Sequence, residues 1–454
     1  MAAYDGAMSA TPASLSSPAE GPAHASAEPL PPPIAPGSAA HRAARWALFV
    51  GGFATFGMFY GPQPLLPLFA SAFGLDAAQA SGVLSATAGA MALGLIPAGF
   101  LAQRYGPKPV MLASIVLGAL CSLLCAFAPG YGALIALRAL LGLSLAGLPA
   151  VSAAWLAEEV DPRALGQSVG LIIAGNAAGG MSSRLVCGLL ADHTGWRGAF
   201  AGLGALGVLA AFEFWRSLPP SRRHRARPLH PRHALADLRA VAGERGLLPL
   251  FALALLLMGS FVSFYNYLGF RLVQAPFALS HATIGAVFLL YVVGMFSSPW
   301  AGRQADRRGS PRVLAGMLAL CAAGLVLTLS NALPLIVAGV ALFTFGFFAA
   351  HSVASAWVGR LARHSKSLAS AAYLTTYYLG ASSMGWLGGH AWQAGAWVGV
   401  LAFLGVLWLG CVVIAWHMAR AAPTGAIASP TRRLAPSGAA SGAHAHDAGV
   451  ASRS

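Results

Sequence analysis

Apolar residues fill most of this chain in long blocks that do not alternate with polar ones. Twelve such blocks stand at about 46–69, 80–102, 110–127, 132–156, 165–190, 198–218, 247–269, 282–301, 313–330, 333–357, 368–388 and 396–418. A helix needs about 20 apolar residues to cross a hydrocarbon core about 30 Å thick, and each block is close to that length. Barrel strands would be about half as long and would alternate in polarity. The pattern predicts an all-α polytopic membrane protein with twelve transmembrane helices. Six fall on each side of a polar, basic linker at 219–246, giving expected six-helix bundles at 46–218 and 247–418. Residues 1–45 and 419–454 are rich in Ala, Ser, Pro and Gly and have little apolar surface whose burial could offset ordering, so both are expected to be disordered tails.

Composition agrees with the pattern. The 454 residues are 57% hydrophobic and only 9% charged, with a mean hydropathy of +0.68. Soluble domains carry about 25% charged residues, so a water-soluble fold is excluded. The net charge of +15 would suit a nucleic-acid partner until the cations are placed. All but four of the 28 Lys and Arg lie in the tails, the linker and alternate loops, which share one face of the membrane. The opposite face has Arg197 and Arg271, and Arg138 and Arg184 lie within spans. That asymmetry predicts cytoplasmic termini and a cytoplasmic linker. No aromatic residues are interleaved with the linker's arginines, so nucleic acid is not an expected partner. The five cysteines all lie inside apolar blocks without metal-ligand spacing, and neither a metal nor a disulfide framework is expected.

The two halves echo each other. Gly99, Ala102, Arg104, Gly106 and Val110 recur 203 positions later as Gly302, Ala305, Arg307, Gly309 and Val313. Pro149-Ala-Val-Ser-Ala-Ala-Trp155 is echoed, 202 positions on, by His351-Ser-Val-Ala-Ser-Ala-Trp357. Parallel repeats of this kind are typical of transporters whose halves rock around a central site. With Gly99, Arg104, Gly106 and Lys108 in the loop between spans 2 and 3, the chain resembles the major facilitator superfamily over essentially all of 46–418. The family's loop carries Asp where this chain has Gln103, whereas the second copy (Gly302, Asp306, Arg307, Gly309) keeps the acid. Arg138-Ala-Leu-Leu-Gly142 is similar to the family's Arg-x-x-x-Gly motif in span 4. Gly175, Asn176, Gly179 and Gly180 in span 5 are similar to the signature of exporting antiporters, with Asn176 in place of Pro. The surroundings of Asn176, Tyr265 and His351 resemble the YnfM-type (acriflavine-sensitivity) branch. The resemblance implies a cytoplasmic gate at the two loops, with Arg104 reaching Glu158 at the end of span 4. It leaves Asp306 to pair with Arg360 or to cap the start of span 5. It also implies residence in the bacterial cytoplasmic membrane as a monomer.

Candidate chemistry inside the membrane is sparse. Arg138 lies about one turn into span 4 from its outer end, where a bare charge is costly, so it is expected to face a wet cavity or to snorkel. Of the thirteen acids only Glu213 falls within a span, near its cytoplasmic end. His351 is then the titratable group nearest mid-membrane and the candidate for proton coupling beside Arg138. Tyr60, Asn266, Tyr267, Tyr291 and Tyr377 are candidate walls of a substrate cavity. Span 5 carries small residues at Gly166, Gly170, Ala174, Ala178 and Ser182, with Gly175, Gly179 and Ser183 beside them, and is expected to pack against the other half. No nucleophile, metal or phosphate-loop motif points to an enzyme, and no cofactor is expected. The expected function is secondary active transport of a small organic solute, as a proton-coupled exporter. Import or passive facilitation in the same fold, and a transport-dead sensor, remain as alternatives.

Overall fold

The computed structural model describes residues 30–224 and 231–421, and among these every regular element is helical. The first half comprises α1 (Ala39–Tyr60), the short α2 (Leu66–Phe73), α3 (Ala77–Tyr105), α4 (Pro107–Ala126), α5 (Tyr131–Leu145), α6 (Gly147–Glu159) and α7 (Pro162–Ser217). After α8 (Pro231–Gly243) come α9 (Leu247–Val273), α10 (His281–Val287), α11 (Tyr291–Arg308), α12 (Ser310–Leu327), α13 (Leu333–Leu361) and α14 (Lys366–Ala421). Nine helical stretches are long and apolar enough to cross a membrane; α5 with α6, and α10 with α11, each form one of them. The 56-residue α7 and α14 each hold two crossings, broken at Gly195 and at Gly395–Ala396. With α1, the described residues make twelve crossings.

Local chemistry sets the helix ends. Ser38 caps α1, and Asp76 and Gln79 form a capping box at the start of α3. The duplicated loop has a backbone reason for its glycines. Gly106 (φ 93°) and Gly309 (φ 85°) both hold a left-handed turn between two helices, and both are followed by a helix with Pro in its first turn. Pro97 and Pro299 lie inside α3 and α11, one residue out of the register set by Gly99 and Gly302.

Small residues bring the helices of each half together. A Cβ at Gly179 would stand 2.0 Å from the carbonyl oxygen of Phe53, and one at Gly380 would stand 2.0 Å from that of Leu255. The α1–α7 contact is thus repeated by α9–α14 some 200 residues later, a duplication the sequence did not display. In α7, Gly175 and Gly179 lie against Phe49 and Phe53 of α1, within the same half. The expectation that this stripe faces the other half is therefore corrected. Only farther along does α7 meet the second half, where Gly188 abuts His281 and Gly285 of α10 abuts Arg184.

Among the described residues, the hydrogen bonds between the halves gather at one end. The end bearing Ala39, Ser217 and Leu247 is termed the terminal end, and the other the distal end. Hydrogen bonds between halves run from Gln63 to Asn266, from Ser81 to the Gly385 carbonyl, and from Ser382 to the Ser85 carbonyl. Asp192 accepts from the backbone N–H groups of His281 and Ala282 and lies 3.0 Å from His281 Nδ1. All belong to the distal halves of their helices. Toward the terminal end, Gly99, Gly166, Gly170 and Gly302 face open space.

Two expected boundaries shift. Helix α1 begins at Ala39, and the segment before it is bound rather than loose: Ile34 exchanges backbone hydrogen bonds with Glu159 and Asp161, and Pro31 accepts from Arg223. The linker contains α8, after which Glu244 accepts from the backbone N–H groups of Arg363 and His364. Those donors hold its carboxyl below the usual carboxylate range. The remainder of the expected disordered tails lies outside the described residues.

Candidate functional site

Two arginines are fully buried among the described residues, and their surroundings differ. Arg138 is 0% exposed on α5 and donates through Nη1 and Nη2 to the carbonyls of Met58 and Phe59, 2.9 and 2.7 Å away. Its Nε donates to the Val83 carbonyl at 3.1 Å. Met58 and Phe59 lie in the last turn of α1, where carbonyls lack helical partners and the helix dipole is negative. Arg138 therefore neither faces a wet cavity nor snorkels. It clamps α1 and α3 to α5.

Arg184 is 1% exposed on α7, at the seam between the halves. Its Nε donates to Gln63 Oε1 at 2.8 Å, and its Nη1 to the Gly180 carbonyl at 2.5 Å. The guanidinium carbon lies 4.4, 4.5 and 4.8 Å from the ring centres of Tyr60, Phe288 and Tyr291, so aromatic faces from both halves surround it. Because guanidinium only donates, it fixes the Gln63 amide. Gln63 Nε2 then donates to Asn266 Oδ1 at 2.8 Å, and Asn266 Nδ2 is left buried without an acceptor.

From this cage a circuit of ring contacts closes around the centre of the molecule. Tyr291 meets Phe348, Phe348 meets Phe347, and Phe347 stacks on His351 at 6.1 Å. His351 lies 4.6 Å from the Tyr377 ring and shares a 3.0 Å hydrogen bond with the Tyr373 hydroxyl. Tyr377 meets Tyr378, which packs on Phe59, and Phe59 returns to Tyr60. His351 and Tyr377 are half-buried, whereas Tyr60 and Tyr291 are buried. The predicted Tyr60, Asn266, Tyr291, Tyr377 and His351 therefore come together. Tyr267 does not join them: its hydroxyl donates to the Gly385 carbonyl and its ring packs toward Trp392, holding α9 on α14.

Arg184 and Gln63 are the members the sequence reading passed over. Arg184 is placed within a span without a role, and Gln63 stands between prolines in a short 3-10 turn after α1. Their repeated feature, a polar residue beside a distal helix end, was visible. The ring cage was not, because its members come from four separate segments.

The gate residues sit at the terminal end without forming the expected pairs. Arg104 lies over the Tyr105 ring, and Glu158 stands 3.9 Å from His224 rather than on Arg104. Lys108 donates to the Leu218 carbonyl. Among the described residues, the exposed Asp306 and Gln103 make no ion pair or side-chain hydrogen bond, and Arg360 donates to Ser310 Oγ at 2.6 Å. In α7, Asn176 turns its oxygen toward Gly52 of α1, where it is buried without a partner, and Gly180 leaves room for Arg184 Nη1. Glu213 is committed to Arg216, Trp46 and Ser217.

Residues 48–275 match the family model of the Major Facilitator Superfamily. The chain belongs to that superfamily. It is 38% identical to the MFS-type transporter YybF of Bacillus subtilis (strain 168) over 85% of this chain and 96% of that one. It is 40% identical to the inner membrane transport protein YnfM of Escherichia coli (strain K12), over 82% of this chain and 90% of that one. Among solved structures, it shares its fold with a bacterial homologue of the human lysosomal transporter Spinster. That likeness has a TM-score of 0.72 at 14% identity, covering 85% of this chain and 98% of the other. The chain is thus a multi-pass membrane transporter of the superfamily's all-α fold.

Proposed function

We propose that this chain is a secondary active transporter that moves a small organic solute by alternating access, as a proton-coupled exporter of the bacterial cytoplasmic membrane. The observation that carries the reading is the one-sided join between the halves. Every hydrogen bond between them among the described residues lies distally, while His351 and Tyr377, the half-buried members of the ring circuit, lie on the unsealed side. With the termini cytoplasmic, as the placement of Lys and Arg supports, this is a conformer that receives solute from the cytoplasm. His351 is the coupling group, because its imidazole touches the aromatic wall and no carboxylate shares that wall. Arg138 contributes by fixing α1, which presents Tyr60. Asp306, exposed here, supplies charge to the terminal gate when it closes, a role the neutral Gln103 cannot share.

Proteoliposomes with an imposed pH gradient and a panel of organic solutes test the assignment. Solute flux should follow the gradient in the wild type. His351→Gln preserves a hydrogen-bonding group for Tyr373 and should lose the pH dependence between about pH 5 and 8. A mutant with the wild-type pH profile would refute the coupling role.

A further inference from the structure

Arg184 and Asn266 keep N–H donors that the cage does not use. Gln63 Oε1 and the Gly180 carbonyl occupy two of the five N–H groups of Arg184. Both amide oxygens in the relay are used, since Gln63 accepts from Arg184 and Asn266 accepts from Gln63. What remains unpartnered is the Asn266 Nδ2 donor and the hydroxyls of Tyr291 and Ser85, which can donate or accept, all buried. Gly385 stands close beside two of these: a Cβ built there would come 3.3 Å from Ser85 Oγ and 3.6 Å from Asn266 Nδ2. Among the described residues neither Arg138 nor Arg184 has a carboxylate partner. Arg138 already has carbonyls on three of its nitrogens. Arg184 is thus the positive charge left with unused donors.

From this we infer that the transported solute is a small planar organic anion, an aromatic carboxylate, whose charged end binds Arg184 while its ring packs among Tyr60, Phe288 and Tyr291. The inference rests on the transporter reading and deepens it. A carboxylate accepts only, so it complements a site left with donors, and its planar pair of oxygens fits the guanidinium fork. A cationic solute would meet an uncompensated guanidinium in a low-dielectric setting, and a neutral one would leave that charge unpaired. At 1% exposure Arg184 is shut off in this conformer, so the ring wall formed by Tyr60 and Tyr291 must part to admit the carboxylate.

The full-length protein in lipid nanodiscs, titrated with 4-hydroxybenzoate, 4-hydroxybenzamide and 4-hydroxybenzylamine, tests this directly. These probes share a ring and differ in charge. Thermal stabilisation and tryptophan quenching should favour the carboxylate by roughly 10- to 100-fold, the worth of one charge-assisted contact. Arg184→Gln should abolish that preference and Arg184→Lys should weaken it. Asn266→Asp keeps an oxygen for Gln63 but places a negative charge in the relay, and it too should abolish carboxylate binding. Equal or tighter binding of the amide or the amine, or no response to the carboxylate, overturns the inference. Counterflow in proteoliposomes separates the two readings. Carboxylate binding without counterflow defeats the transport assignment alone, and counterflow of the amine without carboxylate binding defeats the anion alone.

Discussion

Arg138 and Arg184 each bury a guanidinium near the distal end of a helix, yet they do opposite things with their donors. The last-turn carbonyls of α1, at 2.7 and 2.9 Å, and the Val83 carbonyl of α3, at 3.1 Å, absorb those of Arg138, so that side chain acts as a structural clamp. Arg138→Ala should then lower stability by about 2–5 kcal/mol, since three buried carbonyls lose donors that water cannot replace. Arg138→Lys, with one ammonium for three acceptors, should recover only part of the loss. Thermal unfolding in detergent measures both, and an alanine variant as stable as the wild type would show that the clamp contributes nothing. The sequence signalled that both arginines matter, because a charge in an apolar block is costly. It carried no sign of which one would find carbonyls, because those carbonyls belong to α1 and α3, far away along the chain. Tyr267 and Tyr291 illustrate the same limit. Both are tyrosines in apolar helices, and only the packing of neighbouring helices turns one hydroxyl onto a carbonyl and leaves the other unpartnered.

At the scale of elements, small residues do two jobs within one helix. Gly175 and Gly179 let α7 touch the backbone of α1, while Gly166 and Gly170 meet nothing within 4 Å. The helical period placed all four in stripes, but a stripe cannot say which partner it faces. Gly179→Ala should destabilise by roughly 1–3 kcal/mol through overpacking, because its Cβ would collide with the Phe53 carbonyl. Gly166→Ala should be neutral or stabilising by up to about 1 kcal/mol, the gain in helix propensity. Thermal unfolding of the two variants side by side decides the matter, and equal effects would mean that close approach does not select glycine here. Element existence was far more legible than partnership. All twelve apolar blocks became crossings, and the duplicated Gly106 and Gly309 both proved to need a left-handed turn. The start of α1 and the helix α8 were missed because both are polar, and a search for apolar blocks passes over helices that hydropathy does not mark.

At the scale of the whole molecule, the two halves are held by a distal seal in which one carboxylate meets an imidazole across the seam among the described residues, Asp192 with His281. Asp192 also accepts from two backbone N–H groups at the start of α10, so one carboxylate provides three contacts across the seam. The sequence showed two halves through its repeats, but not this latch, because Asp192 within α7 and His281 at the start of α10 occupy non-equivalent positions with no echo between them. Conformers of such proteins differ by only a few kcal/mol, and hydrogen bonds to a charged group contribute about 1.5–3 kcal/mol. Losing the latch can therefore shift the balance by roughly 10-fold or more. Asp192→Ala should lower the population of the distally closed conformer and bring the terminal ends together. Spin labels on cysteines introduced at the exposed Arg163 of α7 and Arg303 of α11 would report that movement as a shortened distance. Asp192→Asn keeps an acceptor for the backbone N–H groups but loses the charge, so its distribution should fall between those of wild type and alanine. Identical distributions in all three would mean that the ring cage around Arg184 holds the distal side shut without the latch.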